Sequence, residues 1–221
     1  MSVLRRLGGH PALDFVNTVD PREGDEQIEY PNSFEDLVQW AVRGRLIDAP
    51  TARVARTQAA RSGSAGAGAL TRAMNLREAL YAIFGAIAAG RRLPRGAVAE
   101  LESAWREAMA HAHLTAARPG FRWKLTAALD VVRWQIARDA VALLESDRLD
   151  RIKRCPGSQA CGWLFLDASR NASRRWCSMD GCGNCAKVRR YVARHRRDGS
   201  SCSPGIPRSG IGLPMNSRRH A

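Results

Sequence analysis

The chain has 221 residues and a formal charge of +14, and hydrophobic residues make up 45% of it. This composition excludes wholesale disorder, and the length suits one medium domain with a small appendage. Residues 151–221 contain 15 Lys or Arg and 3 Asp or Glu, a net charge of +12, which leaves +2 for residues 1–150. Such asymmetry favours a partner with dense negative charge, either nucleic acid or an anionic membrane surface.

The compartment is predicted from apolar stretches and cysteines. No apolar run follows the two arginines near the N-terminus, and the longest apolar stretch, around 79–89, is too short to span a bilayer. We therefore expect a soluble cytoplasmic protein. In a reducing cytoplasm, clustered cysteines favour a metal site or a catalytic group over disulfides. All six cysteines lie in the basic third, at 155, 161, 177, 182, 185 and 202.

The first two-thirds of the chain predicts a mostly helical domain. Residues 10–21 form a short apolar and β-branched run closed by proline, which predicts an extended segment or an irregular entry into the domain. Ser33 is a predicted N-cap. Apolar residues at helical spacing predict helices over about 34–43, 50–61, 69–89, 97–114 and 126–146. Residues 121–125 suit a strand, and the glycine-rich residues 63–68 predict a flexible connection rather than a phosphate-binding loop.

The basic third of the chain has a different predicted secondary structure from the helical part. Residues 162–167 and 174–177 are strand-like and flank a run of turn formers, so they predict a hairpin. Residues 184–197 predict a helix, and the Gly/Ser/Pro-rich residues 198–221 predict a disordered tail.

The cysteine spacing favours a structural zinc site over unrelated structural cysteines, although neither short interval is the common two-residue spacing. Five residues separate Cys155 from Cys161, fifteen separate Cys161 from Cys177, and four separate Cys177 from Cys182. Zinc takes four ligands in a tetrahedron, and a helix that begins after the last cysteine would stabilise the thiolates. Because four thiolates leave no open position for water, we expect one structural ion. The predicted fold is mainly α, with a helical N-terminal domain followed by a small zinc-bound β-hairpin and helix that is treble-clef-like.

The residues around the cysteines resemble a known family. The run from Cys161 to Asn184, followed by Ala-Lys-Val-Arg-Arg at 186–190, resembles the CGNR zinc finger. The run His-Pro-Ala-Leu-Asp-Phe-Val-Asn-Thr-Val-Asp at 10–20 resembles the opening of the ABATE domain that accompanies this finger. The resemblance spans residues 8 to about 197. It implies an ABATE-like sensor or regulatory domain over 1–150, a finger over 151–197 and a tail over 198–221.

The same resemblance implies a function and a ligand set. The implied function is stress-induced regulation of transcription by a DNA-associated protein that is not an enzyme. The implied zinc ligands are Cys155, Cys161, Cys177 and Cys182.

Cys185 stands where the family motif has arginine. The sequence Cys182-Gly-Asn-Cys185 creates a second close pair, so Cys185 competes with Cys177 as the fourth ligand. Cys177 is favoured because it matches the motif and ends the second predicted strand. The pair Cys182 and Cys185 also leaves open a thiol-redox enzyme that works at a helix N-terminus.

The density of cations around the last cysteines favours phosphate contact over a merely solvated face. Eight lie within 24 residues with only Asp180 among them: Arg174, Arg175, Lys187, Arg189, Arg190, Arg194, Arg196 and Arg197. On a helix from Asn184, three of them (Lys187, Arg190 and Arg194) share one face. We expect a DNA partner and no membrane; an adaptor for RNA or an acidic protein is the alternative. A small-molecule or protein effector of the helical domain stays open.

The remaining predictions concern the roles of two tryptophans and of two polar residues near the N-terminus. Trp163 and Trp176 flank predicted ligands, so packing over the metal site is favoured over stacking on bases. Asp14 and Asn17 suit a structural role better than a ligand pocket.

Overall fold

The computed structural model describes residues 6–24, 26–157 and 161–194. Within these residues the chain forms seven α-helices: α1 (Pro11–Val16), α2 (Phe34–Arg43), α3 (Ala49–Ala60), α4 (Ala65–Ala88), α5 (Arg95–Ala110), α6 (Val131–Leu144) and α7 (Asn184–Arg194). Six short strands form three antiparallel hairpins, β1 (Val19–Asp20) with β2 (Ile28–Glu29), β3 (Ala112–Ala116) with β4 (Phe121–Leu125), and β5 (Ile152–Arg154) with β6 (Leu164–Leu166). The predicted mainly α fold is confirmed. The predicted tail, 198–221, lies outside the described residues.

The shortest helix lies at the centre of the core. In α1, the side chains of Ala12, Leu13, Phe15 and Val16 are fully buried, and the helix contacts α4, α6 and β6. The prediction of an extended segment or an irregular entry is wrong for these residues, which are helical. Pro11 occupies the first turn, where its fixed φ suits a helix, and Nδ1 of His10 accepts a hydrogen bond from the amide of Ala12 at 3.3 Å. This local cap and the burial outweigh the β-branched composition.

Helices α2 and α3 and strand β4 lie where the sequence predicts them, while other boundaries differ. Helix α4 begins at Ala65 instead of 69, so the glycine-rich run is partly helical rather than a flexible connection. Gly66 is buried in this helix and packs beside Ala59 and Phe34. Helix α5 ends at Ala110 because the chain turns into β3, and α6 begins only at Val131. No helix among the described residues is both long and apolar enough to cross a membrane.

The hairpin of the basic third differs from the predicted one. Strand β6 pairs with β5, with Ile152 opposite Leu166 and Arg154 opposite Leu164, and residues 174–177 form no strand. The buried carboxylate of Asp167 ends β6, because it accepts hydrogen bonds from the amides of Ser169 and Arg174 at 2.9 Å each and holds the chain in a compact loop.

The helices and this hairpin share one hydrophobic core. Ile152, Leu164 and Leu166 are buried in the same cluster as the residues of α1, α4 and α6. The predicted boundary at residue 150 falls in a single 3₁₀ turn, Leu149–Arg151, that leads directly into β5. The metal-site region is therefore built onto the helical core rather than suspended from a linker.

Candidate metal centre and basic surface

The first two cysteines lie at the open end of the β5–β6 hairpin. Cys155 follows β5, and its amide donates to the carbonyl of Trp163 at 2.8 Å, which extends the ladder by one step. Cys161 lies on the returning chain just before β6. A Cβ at Gly157 would lie 2.6 Å from Sγ of Cys182 and 2.8 Å from Cβ of Cys161, so only glycine lets this loop close over the thiols.

The second pair of cysteines lies at a wide turn just before α7. Cys177 is followed by a wide turn over Met179–Gly183, in which Oγ of Ser178 accepts a hydrogen bond from the amide of Gly181 at 3.3 Å. Cys182 lies in this turn, two residues before α7 begins at Asn184. The turn therefore brings a thiol to the N-terminal end of a helix, where the helix dipole favours a thiolate.

The four thiols converge on one point. The Sγ atoms of Cys155, Cys161, Cys177 and Cys182 all lie within 4.8 Å of one another, with 3.7 Å between Cys161 and Cys177 and 3.6 Å between Cys177 and Cys182. A tetrahedral zinc–thiolate site with bonds of about 2.3 Å has sulfur–sulfur edges of about 3.8 Å. The donor set and its spacing thus fit a single zinc ion.

Cys185, the competing candidate, is not part of this group. It lies in the first turn of α7 and is half-buried. The structure therefore brings Cys177 to the other three thiols, as the family motif implies.

Hydrogen bonds among the four thiols shift their pKa values in opposite directions. Hydrogen bonds from Cys161, Cys177 and Cys182 hold the pKa of Cys155 far below its usual value. The hydrogen bond that Cys177 donates to Cys155, together with burial, raises the pKa of Cys177. Because zinc ligands must be deprotonated, a bound zinc ion would release the protons that the thiols otherwise share.

A small apolar shell covers the thiols. Trp163 and Phe165 are buried against them, and Trp176 and Leu7 pack from the side. The indole Nε1 of Trp163 donates to the carbonyl of Val19 at 3.1 Å. Trp163 is only 6% exposed, so its ring face is not available for stacking on a base. The packing role predicted for Trp163 is confirmed.

Arg174 lies inside the finger. Its guanidinium donates to the carbonyl oxygens of Leu7 at 2.8 Å, Trp176 at 3.1 Å and Cys177 at 2.6 Å, and it stacks 4.4 Å from the ring centre of Phe165. Its donors are used within the chain. The structure thus gives Arg174 an internal role in place of the predicted phosphate contact.

We expect Arg174→Lys to lower the free energy of unfolding by about 2 to 4 kcal/mol, because lysine cannot reproduce the planar fork that reaches several carbonyls and stacks on a ring. The measurement is the guanidinium chloride midpoint of the zinc-loaded protein. The adjacent, exposed Arg175→Lys is the control and should change stability by less than about 0.5 kcal/mol. Equal stability of both variants would show that the contacts of the Arg174 guanidinium do not contribute to the free energy of unfolding.

Other predicted phosphate contacts are placed on the surface. Arg175 is exposed on the loop before Cys177, and Lys187, Arg189, Arg190 and Arg194 are exposed on α7. Arg196 and Arg197 lie outside the described residues. No residue of α7 is buried, and the apolar side chains of Val188 and Tyr191 are also exposed, at 50% and 65%.

Asn17 ties the metal region to α1. Its side-chain amide donates to the carbonyl of Leu164 at 2.8 Å and accepts from the amide of the same residue at 3.0 Å. Asn17 is 2% exposed and caps the C-terminus of α1. Its two side-chain hydrogen bonds to the backbone of Leu164 resemble those that a residue of a neighbouring strand would make. The structural role predicted for Asn17 is confirmed, as it is for Asp14, which accepts from the amide of Gly8 at 2.8 Å.

Further contacts join α4 and the segment after β1 to the first cysteine loop. The amide of Arg22 donates to the carbonyl of Cys161 at 2.9 Å, and the hydroxyl of Tyr81 donates to the carbonyl of Gly162 at 3.0 Å. Gly162 has φ +61°, and a Cβ there would lie 3.0 Å from the Tyr81 hydroxyl oxygen. The backbone beside a predicted ligand is therefore held by residues of the helical part.

The sequence does not indicate the structural role of several residues near the four thiols. Lys153 donates to the buried Asp167 carboxylate at 2.7 Å. Burial acts to raise the pKa of Asp167, but the hydrogen bonds from Lys153, Ser169 and Arg174 together outweigh burial and hold that pKa below its usual range. A charged residue at the end of an apolar strand is the one signal that could have singled out Asp167. Nothing local marks its partner.

The chain matches two family models. Residues 9–147 match the model of ABATE, described as "Putative stress-induced transcription regulator", which covers more than half of the chain. The chain belongs to the ABATE family. In this ABATE protein, residues 151–195 also match the CGNR zinc finger, so the predicted architecture is confirmed, and the four-thiol group provides a potential site for one zinc ion in that finger. No curated protein gives a significant match. The first model is described as a regulator and the second as a zinc finger, and neither description is that of an enzyme.

Proposed function

We propose that this chain is a DNA-associated transcriptional regulator. In this proposal Cys155, Cys161, Cys177 and Cys182 hold one zinc ion, which fixes the start of α7 against the β5–β6 hairpin. Zinc supplies a structural crosslink here, and the protein residues around it orient a basic surface. The helical part, joined to that surface through α1 and α4, is the proposed sensor.

The observation that carries the proposal is the uncompensated charge of α7. Among the described residues, neither Lys187 nor Arg189, Arg190 or Arg194 forms an ion pair. In the helical part, by contrast, buried arginines meet carboxylates, as Arg77 does with Glu29 at 2.5 Å and Arg133 with Glu107 at 2.6 Å. A helix whose cations have no internal partner favours an external polyanion.

The geometry of α7 suits DNA. It is an exposed helix of eleven residues, and the major groove of B-DNA, about 12 Å wide, admits an α-helix. Lys187, Arg190 and Arg194 lie on one face at helical spacing, so they can follow a phosphate backbone. The exposed Val188 and Tyr191 would provide apolar contacts beside it.

The redox alternative needs Cys182 as a reactive thiolate paired with Cys185. Cys182 instead lies in the four-thiol group, without Cys185. As a zinc ligand it would be unavailable for thiol exchange. Purified protein with one zinc ion per chain and no readily alkylated Cys182 supports the structural assignment; a zinc-free protein that alkylates rapidly at Cys182 contradicts it.

DNA binding is tested by fluorescence anisotropy of a labelled duplex at several salt concentrations. We expect the triple substitution Lys187→Glu, Arg190→Glu and Arg194→Glu to weaken binding more than tenfold. It should also reduce the salt dependence by roughly one unit of slope per lost phosphate contact.

The matched control is Arg91→Glu, Arg92→Glu and Arg95→Glu, which changes the net charge equally on exposed residues of the helical part. It should retain most of the affinity. Equal losses of DNA affinity in the two variants would show that only the net charge of the protein matters. Absence of binding by the wild type at about 0.15 M salt would contradict the proposed function.

A further inference from the structure

A cleft lies between the loop after Cys155 and α7, beside the zinc site. Its volume is about 290 Å³, and it is lined by Pro156, Arg175, Trp176, Ala186, Arg189 and Arg190. This is just below the range for small-molecule sites, which begins at about 300 Å³. The cleft is therefore large enough for one nucleotide-sized group but not for a segment of duplex.

The cleft walls carry positive charge alone. Arg175, Arg189 and Arg190 contribute three guanidinium groups, and no carboxylate lines the cleft. Among the described residues, these arginines form no ion pair, and the one contact recorded for their side chains is from Nε of Arg190 to the carbonyl of Ala186 at 3.4 Å. Three such groups around one small cleft repel each other until an anion enters. The planar guanidinium fork matches a phosphate oxygen pair better than a point cation does.

An aromatic side chain lines the same cleft. Trp176 is half-buried against the cysteine cluster on one side and borders the cleft on the other, so its position is fixed by the metal site. Pro156 provides a further apolar surface. A phosphate-binding group next to a fixed aromatic ring is the combination that binds a nucleotide in single-stranded nucleic acid, where each base offers a free π-face.

We propose that this cleft binds one unpaired nucleotide of DNA, with its phosphate on the three arginines and its base stacked on Trp176. In a duplex both faces of a base are covered by its neighbours, so only an unpaired or extruded base can enter. The chain then prefers DNA with a single-stranded segment over a continuous duplex. This inference rests on the proposed function and adds to it the form of DNA that the finger selects.

The test compares, by anisotropy competition with the zinc-loaded protein, a short single strand, the duplex of the same sequence, and the single strand with all of its bases replaced by abasic sugars. We expect the normal strand to bind roughly 5- to 150-fold more tightly than the abasic strand, the range for one stacked base. The abasic strand has the same phosphates, so the comparison removes net charge as a cause. Equal affinity of the normal and abasic strands would overturn the inference.

A protein variant gives an independent arm. Trp176→Leu should lose the preference for the normal over the abasic strand, while Trp123→Leu, which alters an exposed tryptophan of β4, should keep it. Should Trp176→Leu lose its zinc, Trp176→Phe replaces it and is expected to retain the preference because the aromatic ring remains. An unchanged preference in a zinc-loaded Trp176→Leu protein contradicts the stacking role.

Small competitors separate a nucleotide site from a simple phosphate site. Deoxyadenosine monophosphate should displace the strand at lower concentration than inorganic phosphate; equal potency would show that the cleft recognises phosphate alone. Failure of the proposed function has a different signature, since the protein would then bind neither the strand nor the duplex. Tight binding of duplex, with no effect of abasic sites, would leave that function intact and reject this inference.

Discussion

Zinc removal should unfold the helical part of the chain together with the finger, in one transition. The strands that carry the cysteine loop are buried in the same core as α1, α4 and α6. Hydrogen bonds from Asn17, Arg22 and Tyr81 also end on the backbone of residues 161–164. Structural zinc contributes an apparent 10 to 16 kcal/mol, roughly, in isolated finger peptides. That is as large as the stability of about 5 to 15 kcal/mol typical of a whole domain.

The measurement is thermal unfolding followed by far-ultraviolet circular dichroism, with zinc and with a chelator. We expect the chelated protein to lose most of its helical signal, or to melt at a much lower temperature in a single step. Cys161→Ser should reproduce this effect at saturating zinc. Cys185→Ser, which alters a neighbouring thiol outside the four-thiol group, should keep both the zinc and the melting temperature.

An independent finger would behave differently. Chelation would then remove a small part of the signal and leave the melting temperature of the helices unchanged. Loss of zinc in Cys185→Ser would contradict the proposed ligand set, because it would show that Cys185 takes part in ligation.

Asn17→Ala should destabilise the whole chain by about 2 to 5 kcal/mol. The substitution removes two hydrogen bonds and leaves both the amide and the carbonyl of Leu164 buried without these partners, at about 1 to 3 kcal/mol for each group. Because Leu164 lies three residues after Cys161, we also expect the affinity for zinc to fall. We thus expect zinc binding and the fold of the helices to be linked in part through this side chain.

The guanidinium chloride midpoint and a zinc competition with a chromophoric chelator measure the two effects. Asn32→Ala is the control: its side chain makes one exposed hydrogen bond to the carbonyl of Glu29, and its loss should cost less than about 0.5 kcal/mol. Unchanged zinc affinity in a destabilised Asn17→Ala protein would show that the two regions do not communicate through this contact.

The longer helices and the metal ligands were predictable because their signals are local. Apolar residues at helical spacing and the Ser33 cap mark α2 directly, and Oγ of Ser33 accepts from the amide of Asp36 at 3.1 Å. The cysteine spacing together with the CGNR resemblance identified four thiols that the fold brings together. A tetrahedral site requires sharp turns at fixed positions, so its sequence pattern is constrained over a short range.

The errors arose where distant residues decide the local structure. Helix α1 has six residues and a β-branched end, and its burial against α4 and α6 outweighs what its own sequence favours. The partner of β6 was misassigned because the hydrogen bonds of Asp167 fold residues 168–174 into a loop. Arg174 looked like one more surface cation, since nothing in its own neighbourhood shows that its guanidinium reaches Leu7.

The most direct test of a zinc-organised, DNA-associated finger is genome-wide mapping of bound DNA in cells. The comparison is between the wild type and the Lys187→Glu, Arg190→Glu and Arg194→Glu variant, which alters exposed side chains and should keep its zinc. The proposed function predicts discrete occupied sites for the wild type and their loss in the variant at equal protein level. Identical occupancy by both proteins would contradict it, because the cations of α7 would then not contact DNA.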